Sequence, residues 1–494
     1  MVESWMTGEM ERVDLKDKRL NKRLTEVLSQ LSAHPTASIP AACGGYAEMA
    51  AAYRLFDNDK VGFDNVLRPH IEATARRMAG QKIVILPQDT TEIDLTRPEQ
   101  EVKGAGPLGI GSRRGVFLHL LHAFTPDGIS LGTVHAKVWA RPDARPPKKS
   151  KRSARRKQTP IEDKESYRWI EGFRQACAEA RRAPQTRFVS VADSEGDIYE
   201  LLVEGQDKPA NLGWIIRACQ DRALAGEHVN GAEDAEPGQA SMHRMHDQIM
   251  TKQVLFTQHI TVRGRKGKIS CENRGRRQPR QSRTAEVEVR AGRVKLRSPW
   301  RPDRKLPEVA VNVVLVREIN PPGNDVPVEW VLLTNLPIDT VEQVRHVIEY
   351  YCVRWMIEIA FRTLKSGCRI QQRRFEDVDR FGPCLAVYLI VVWRTLYVCH
   401  LARVNPQSSC EVAFEPAEWK SVYQIIRCQP PPSEPPTLSE MVAMAAQLGG
   451  YVNRKRDDKP GPQTVWLGLQ RVYDMARCWK LFGPETRRET EKDV

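Results

Sequence analysis

The spacing of apolar residues along the chain changes period more than once. Within residues 15–31, Leu20, Leu24, Val27, Leu28 and Leu31 recur every three or four positions, the apolar stripe of an amphipathic helix. Asp14 stands ahead of that stripe as the expected N-cap. Similar spacing continues to about Met78, interrupted by the turn region Pro35–Pro40, so residues 1–66 predict a small helical domain. The pattern then becomes that of strands. Lys82–Leu86 (KIVIL), Val116–Phe124, Gly132–Val138, Phe188–Ala192, Trp214–Ala218 and Ala310–Arg317 are short apolar runs, with an amphipathic helix over Glu165–Arg182 between them. In residues 285–297, Ala285, Val287 and Val289 alternate with polar residues, and Ala291-Gly292 reads as the turn of a two-stranded ribbon with arginines on one face. Helical spacing returns at Val341, runs through Lys365 and persists to about Ala402. Beyond Pro406 two helical pieces flank an exposed linker at Pro430–Pro436. The fold class is therefore α/β with helical segments at both ends.

Composition sharpens this picture. A chain of 494 residues implies several domains and ample core. Lys and Arg total 76 against 62 for Asp and Glu, a formal charge of +14, which points to a polyanionic partner, nucleic acid first. Much of that charge is local. Arg141–Gln158 carries nine basic residues and one acid, Asp143, around Pro146-Pro147, and reads as a basic loop. Residues 263–305 carry sixteen basic residues against four acids. One such run is ordinarily a solvated face, whereas two together with this net charge point to phosphate contact. The longest apolar run, Leu385–Trp393, has nine residues, short of the ~20 that span a bilayer. Met1–Arg19 lacks the apolar stretch of a secretory signal. The eleven cysteines include no C-x-x-C pair, so disulfide scaffolds and zinc ribbons are excluded and a reducing cytosol is expected.

Several motifs fail on context. Gly104-Ala105-Gly106-Pro107-Leu108-Gly109 matches a dinucleotide pattern in letters, but it leads into a strand and Pro107 sits where a helix should open. No P-loop sequence is present. His119 and His122 lie three apart on a strand, on opposite faces, and read as packing histidines. Two aspartates are more informative. Asp89 follows KIVIL through Pro87-Gln88, and Asp193 ends FVSVA; each is expected just past a buried strand, where paired carboxylates bind hard divalent cations. Singly, each is more often a turn former or an N-cap. On the helix from Val341, Tyr351, Arg354, Glu358 and Lys365 fall within one stripe about 60° wide, a face suited to phosphate and metal.

At these residues the chain resembles a family. Tyr351-x-x-Arg354-x-x-x-Glu358-x-x-x-x-x-x-Lys365 is similar to the Y-R-E-K signature of the bacterial cut-and-paste DDE transposases of the Tn-five type. Asp89-Thr90-Thr91 resembles their first catalytic aspartate, and Asp193-Ser194-Glu195-Gly196-Asp197-Ile198-Tyr199 their second, with Ser194 where relatives often carry arginine. Glu318–Pro322 and Glu329–Thr334 resemble the end of their β insertion, and Leu448-Gly449-Gly450 with the helix near Trp466 their dimerisation region. The likeness reaches to about residue 480. It implies a ribonuclease H-like core interrupted by a β-strand insertion and flanked by helical domains: 1–66 DNA-binding, 67–218 and 336–400 catalytic core, 219–335 basic insertion, 401–494 dimerisation. It implies that Asp89, Asp193 and Glu358 hold two Mg²⁺ ions, with Mn²⁺ able to substitute. Trp330 is implied to stack on an extruded base, Tyr351 and Arg354 to hold its phosphate, and Lys365 to offset charge at the scissile bond. The implied partners are double-stranded DNA, both transposon ends and target, and a second copy of the chain in a DNA-bound synaptic dimer. No membrane partner is implied, and the bacterial cytoplasm is the expected place. A ribonuclease H-like nuclease without strand transfer, and a catalytically silent DNA-binding inhibitor of transposition, are the alternatives.

Overall fold

The computed structural model describes residues 4–97, 99–109, 112–143, 158–226, 244–262, 264, 281–302, 304–323, 327–454 and 459–484. Most of the Arg141–Gln158 loop, and the basic positions from Arg263 to Arg280, fall outside these. The chain divides into two compact units. The first comprises Met1–Val84, Asp89–Arg145 and Trp355–Val494; the second comprises Ile85–Gln88 and Pro146–Arg354.

The first unit opens with α1 (Ser4–Met10), α2 (Lys18–Ala33), α3 (Ile39–Cys43), α4 (Tyr46–Phe56) and α5 (Phe63–Ala79). Helix α2 is capped by Asp17, which accepts from the Arg19 amide, rather than by Asp14. Asp14 instead takes the Lys16 amide at 2.9 Å in the turn before it. Both aspartates precede the apolar stripe, and only the turn chemistry decides between them. The predicted residues Leu24, Val27, Leu28 and Leu31 are all buried.

They pack into a core shared with Leu385, Tyr388 and Val392 of α11 (Val378–Val404) and with Val116, Leu118 and Leu120 of β3 (Arg114–Phe124). Helix α11 is long and apolar enough to cross a bilayer, yet 89% of its most apolar stretch is buried inside this unit. It is a core helix. Arg373, itself 4% exposed, ties the N-terminal segment down further by donating to the carbonyls of Ala37, Pro35 and Cys368. The N-terminal helices thus have no separate core, and deleting residues 1–66 would strip apolar partners from α11.

The C-terminal end of the first unit holds α12 (Pro416–Arg427), α13 (Leu438–Leu448) and α14 (Pro462–Phe482), three helices where the sequence pattern predicts two. Trp419, Val422, Met441, Val465 and Val472 form a cluster with Val398 and Cys399 of α11. Helices α13 and α14 meet backbone to backbone: a Cβ on Gly468 would lie 1.7 Å from the Ala445 carbonyl oxygen. Gly468→Ala is therefore expected to force the pair apart and lower stability by about 1–3 kcal/mol, read as a lower urea midpoint. An unchanged midpoint would show that the helices separate without cost.

In the second unit the strand order is β1, β5, β6, β10, β9, β8, β7. These are β1 (Ile83–Asp94, of which Ile85–Gln88 belong here), β5 (Arg187–Ala192), β6 (Leu212–Arg217), β7 (Phe256–Val262), β8 (Arg283–Leu296), β9 (Val309–Glu318) and β10 (Glu329–Thr334). Strands β5 and β6 are parallel, with Ala192 opposite Ile216; β6–β10, β10–β9, β9–β8 and β8–β7 are antiparallel. Strand β8 corrects the predicted ribbon. It is one continuous strand, paired with β9 from Val287 through Leu296 with no turn at Ala291-Gly292. The apolar phase does shift there, because the buried face changes. Ala285, Val287 and Val289 are buried on one face and Val294 and Leu296 on the other. On that second face Gly292 leaves room for Ile249, whose Cδ1 would lie 3.1 Å from an added Cβ, and Arg290 donates to the Met250 and Lys252 carbonyls.

The arginines within β8 do not form a free basic face. Arg283 pairs with Glu318, Arg290 with Glu288 and Arg293 with Asp339.

Candidate active site

Asp193 stands where the sequence places it, directly after β5. It caps a single 3₁₀ turn, Ser194–Gly196, and its Oδ1 accepts the Glu195 amide at 2.9 Å. Four residues on, the Asp197 side chain is fully buried against Arg222. It accepts the amides of Cys219 at 2.9 Å and Gln220 at 3.1 Å and the Arg222 guanidinium. One buried carboxylate therefore ties the exits of two adjacent parallel strands together. Carboxyl ends of parallel strands are where α/β sheets bind ligands.

On that same edge the second unit gathers a polar and aromatic group. Trp330, near the start of β10, packs on Tyr351 with ring centroids 5.5 Å apart at 59°. Tyr351 belongs to α9 (Val341–Val353), which begins with a capping box from Thr340 and Gln343. The Arg354 guanidinium carbon lies 5.9 Å from the Tyr351 ring centroid. Burial pushes the Tyr351 hydroxyl up; Arg354 and Arg217 pull it back, and the nearby charge of Asp193 adds to the rise. Arg217, the last residue of β6, lies near enough to lower the Tyr351 hydroxyl and donates to the Glu329 carbonyl at 3.2 Å. The sequence reading missed Arg217; the signal available was its position at the end of an apolar run, one strand from Asp193.

The remaining predicted residues belong to the first unit. Asp89 is 7% exposed and lies inside β1, which runs on to Asp94, not past its end. Pro87 removes one donor but keeps an extended backbone, and the Thr and Ile residues that follow favour a strand. The Asp89 Oδ1 accepts the Thr90 amide at 2.7 Å. Thr90 points to the opposite face, with its hydroxyl 2.9 Å from His119 Nδ1. His119 and His122 are both buried. Glu358 sits half-buried in α10 (Trp355–Arg362). Lys365 lies in a π turn over Thr363–Gly367. The helix predicted from Val341 to Lys365 is therefore interrupted at Arg354 and widened at Thr363, so 100° per residue does not carry the stripe as far as Lys365.

The structure thus brings Asp193, Arg217, Trp330, Tyr351 and Arg354 together. Among the described residues no three His, Cys, Asp or Glu side chains form a metal-holding group. The chemistry of the three acids nonetheless fits hard divalent cations, since each offers only carboxylate oxygen. The second oxygen of Asp193 has no hydrogen-bond partner among the described residues.

Comparison with known proteins gives matches along most of the chain. Residues 231–382 match the transposase DDE domain, a segment holding Trp330, Tyr351, Arg354, Glu358 and Lys365 but neither aspartate. This defines the protein as a DDE transposase, an enzyme that cleaves and transfers DNA using divalent metal ions. Residues 2–61 match a transposase DNA-binding domain and residues 390–480 the Tn5 transposase dimerisation domain. The chain therefore belongs to the Tn5-like DDE transposases. Among solved structures, a piggyBac transposase synaptic complex with hairpin DNA aligns over 100% of this chain and 78% of that one. Its 8% identity and TM-score of 0.36 are too low to carry an argument.

Proposed function

We propose that this transposase binds the inverted-repeat ends of its own element and excises it by strand cleavage, hairpin formation and strand transfer into target DNA. The observation that carries this reading is the Trp330–Tyr351–Arg354–Arg217 group beside Asp193. A nuclease that only hydrolyses a strand has no use for an aromatic platform flanked by two guanidinium groups. A hairpin must bend a strand end tightly, and extruding a base relieves that bend. Trp330 offers a face for the extruded base, and Arg217 and Arg354 offer donors for its phosphate.

On this reading the core is ribonuclease H-like, and Asp89, Asp193 and Glu358 hold Mg²⁺, with Mn²⁺ as a substitute. When bound, two such ions stabilise the entering and leaving oxygens of an in-line displacement. Asp193 is held ready by its own cap and by the Asp197–Arg222 pair behind it, and Lys365 offsets phosphate charge. Residues 1–66 supply end recognition, 219–335 the insertion, and 401–494 the pairing of two protomers across two ends. Free protein is expected to be monomeric, since a +14 chain repels its twin until phosphates neutralise it.

Trp330→Ala tests the reading. On end duplexes first nicking should persist within a few-fold. Hairpin formation on a pre-nicked end should fall about tenfold or more, the worth of one stacked base at ~1–3 kcal/mol. Equal loss in both steps would reject the extruded-base role and favour a plain nuclease.

A further inference from the structure

The loop between β8 and β9, described at residues 297–302 and 304–308, presents Trp300 to solvent at 70% exposure. The loop beneath that ring is firmly held. Arg301 donates to both oxygens of Glu200 at 2.6 and 3.1 Å, and the Glu200 side chain is 7% exposed. The Tyr199 hydroxyl bonds the Pro307 carbonyl at 2.9 Å and the Leu296 carbonyl at 3.2 Å. Arg304 reaches Glu162 at 3.2 Å, and the Arg297 amide donates to the Ala223 carbonyl at 2.9 Å. Leu306 is buried, and Pro299 and Pro302 stiffen the tip on either side of Trp300. An indole held out by so many anchors is presented to something.

The charges beside it say what. Across β8 and this loop the described cations are mostly neutralised within the unit: Arg283, Arg290, Arg293, Lys295, Arg301 and Arg304 each have an acidic partner. Arg297 and Lys305 are the exceptions. Both are exposed, and neither has a side-chain partner among the described residues. They flank Trp300 in sequence, so the exposed cations of this hairpin that lack an acidic partner among the described residues bracket its one aromatic along the chain.

The register gives the placement. Val314 is level with Leu332 and Arg217 across β9, β10 and β6, and β9 begins five residues earlier at Val309. The loop therefore starts about 17 Å along the strand direction from the Arg217 row, the length of roughly five base pairs.

We propose that this loop is a second DNA contact, one that grips the transposon-end duplex beyond the cleavage site. Arg297 and Lys305 meet phosphates on either side of a groove, and Trp300 lies in the groove against sugar and base edges, as apolar wedges do in minor-groove binders. The inference rests on reading the chain as an end-binding transposase.

The test uses full-length protein, an end duplex of about 40 base pairs cut from the terminal repeat beside this gene, and a mixed-sequence duplex of equal length. Trp300→Ala should weaken end-duplex affinity about tenfold with an unchanged urea midpoint. The pair Arg297→Ala with Lys305→Ala should reduce the slope of log affinity against log salt by about 1.8, at 0.9 per lost phosphate contact. Nicking at saturating protein should stay at the wild-type rate. Wild-type affinity and slope in both variants would overturn the proposal. So would a defect confined to strand transfer, which would assign the loop to target DNA, or altered sedimentation of DNA-free protein, which would assign it to a protein partner. Binding is read apart from cleavage, so wild-type protein that binds but never nicks would count against the transposase mechanism, while the affinities of the variants would still decide whether the loop grips DNA.

Discussion

Alanine at Asp89, Asp193 or Glu358 is expected to abolish cleavage of transposon ends while leaving end binding within a few-fold of wild type. The loss should be on the order of 10³-fold or more, since even groups that merely support metal ligands are worth about 10–100-fold. Binding survives because DNA affinity comes mainly from Lys and Arg on phosphates. Gel shift and nicking assays on the same preparations decide it. Glu358 gives the sharpest test, for of the three it alone lies inside the matched DDE segment; full nicking by Glu358→Ala would sink the whole metal-binding set. Asp193→Asn is the cleanest variant. Asparagine can still accept the Glu195 amide that Asp193 accepts at 2.9 Å, so the turn should keep its cap while losing the charge that holds a cation. A normal cleavage rate in that variant would mean Asp193 serves the fold only.

How far the sequence could be read depended on whether local chemistry or tertiary packing decided each feature. The α2 stripe, β5 and the position of Asp193 follow from residue spacing alone, because one face of each element is buried and the period is regular. The single strand β8 was not readable, because its buried face switches at Ala291-Gly292 when a helix from elsewhere covers the other side. A phase shift in sequence looks the same whether the chain turns or its neighbours change. Arg217 was invisible for a related reason: it is a common residue at a strand end, and only the parallel pairing of β5 with β6 puts it beside Asp193. The basic stretch is legible only in part. Arg283, Arg290 and Arg293 find acids on the same unit, acids that are unremarkable in the linear sequence, while the basic positions from Arg263 to Arg280 lie outside the described residues.

Mild acid should unfold the first unit well before its surface carboxylates titrate. Glu9 of α1 and His70 of α5 are buried at 3% and 0% exposure. His70 Nδ1 lies 2.6 Å from Glu9 Oε2, and its Nε2 accepts the Thr133 amide at 3.1 Å. An imidazole that accepts at Nε2 has its proton on Nδ1 and is neutral. Arg77 supplies the positive partner for Glu9. Burial drives His70 below the ordinary histidine range, and the pull of Glu9 does not restore it. His122, bonded to Ser130 at 2.8 Å, is held well below that range by burial and by the neighbouring His70, Arg77 and His400. His400 is pushed down to about 4 by burial and by Arg403. All three take a proton more readily once unfolded, near pH ~6.5. Their contribution to stability is therefore complete above that value and is lost as pH falls toward the folded values. Glu9, brought below its usual range by His70 and Arg77 despite burial, adds a further loss only below about pH 4.5. Three histidines at about 1.4 kcal/mol per pH unit each set an upper slope of ~4 kcal/mol per unit below pH 6. Urea midpoints measured from pH 8 to pH 5 should be level down to about 7 and then drop steeply. His122→Gln should reduce that slope by about one proton. A midpoint that stays level to pH 5.5 would show that these imidazoles are not held neutral, and the packing of α1 on α5 would then need another explanation.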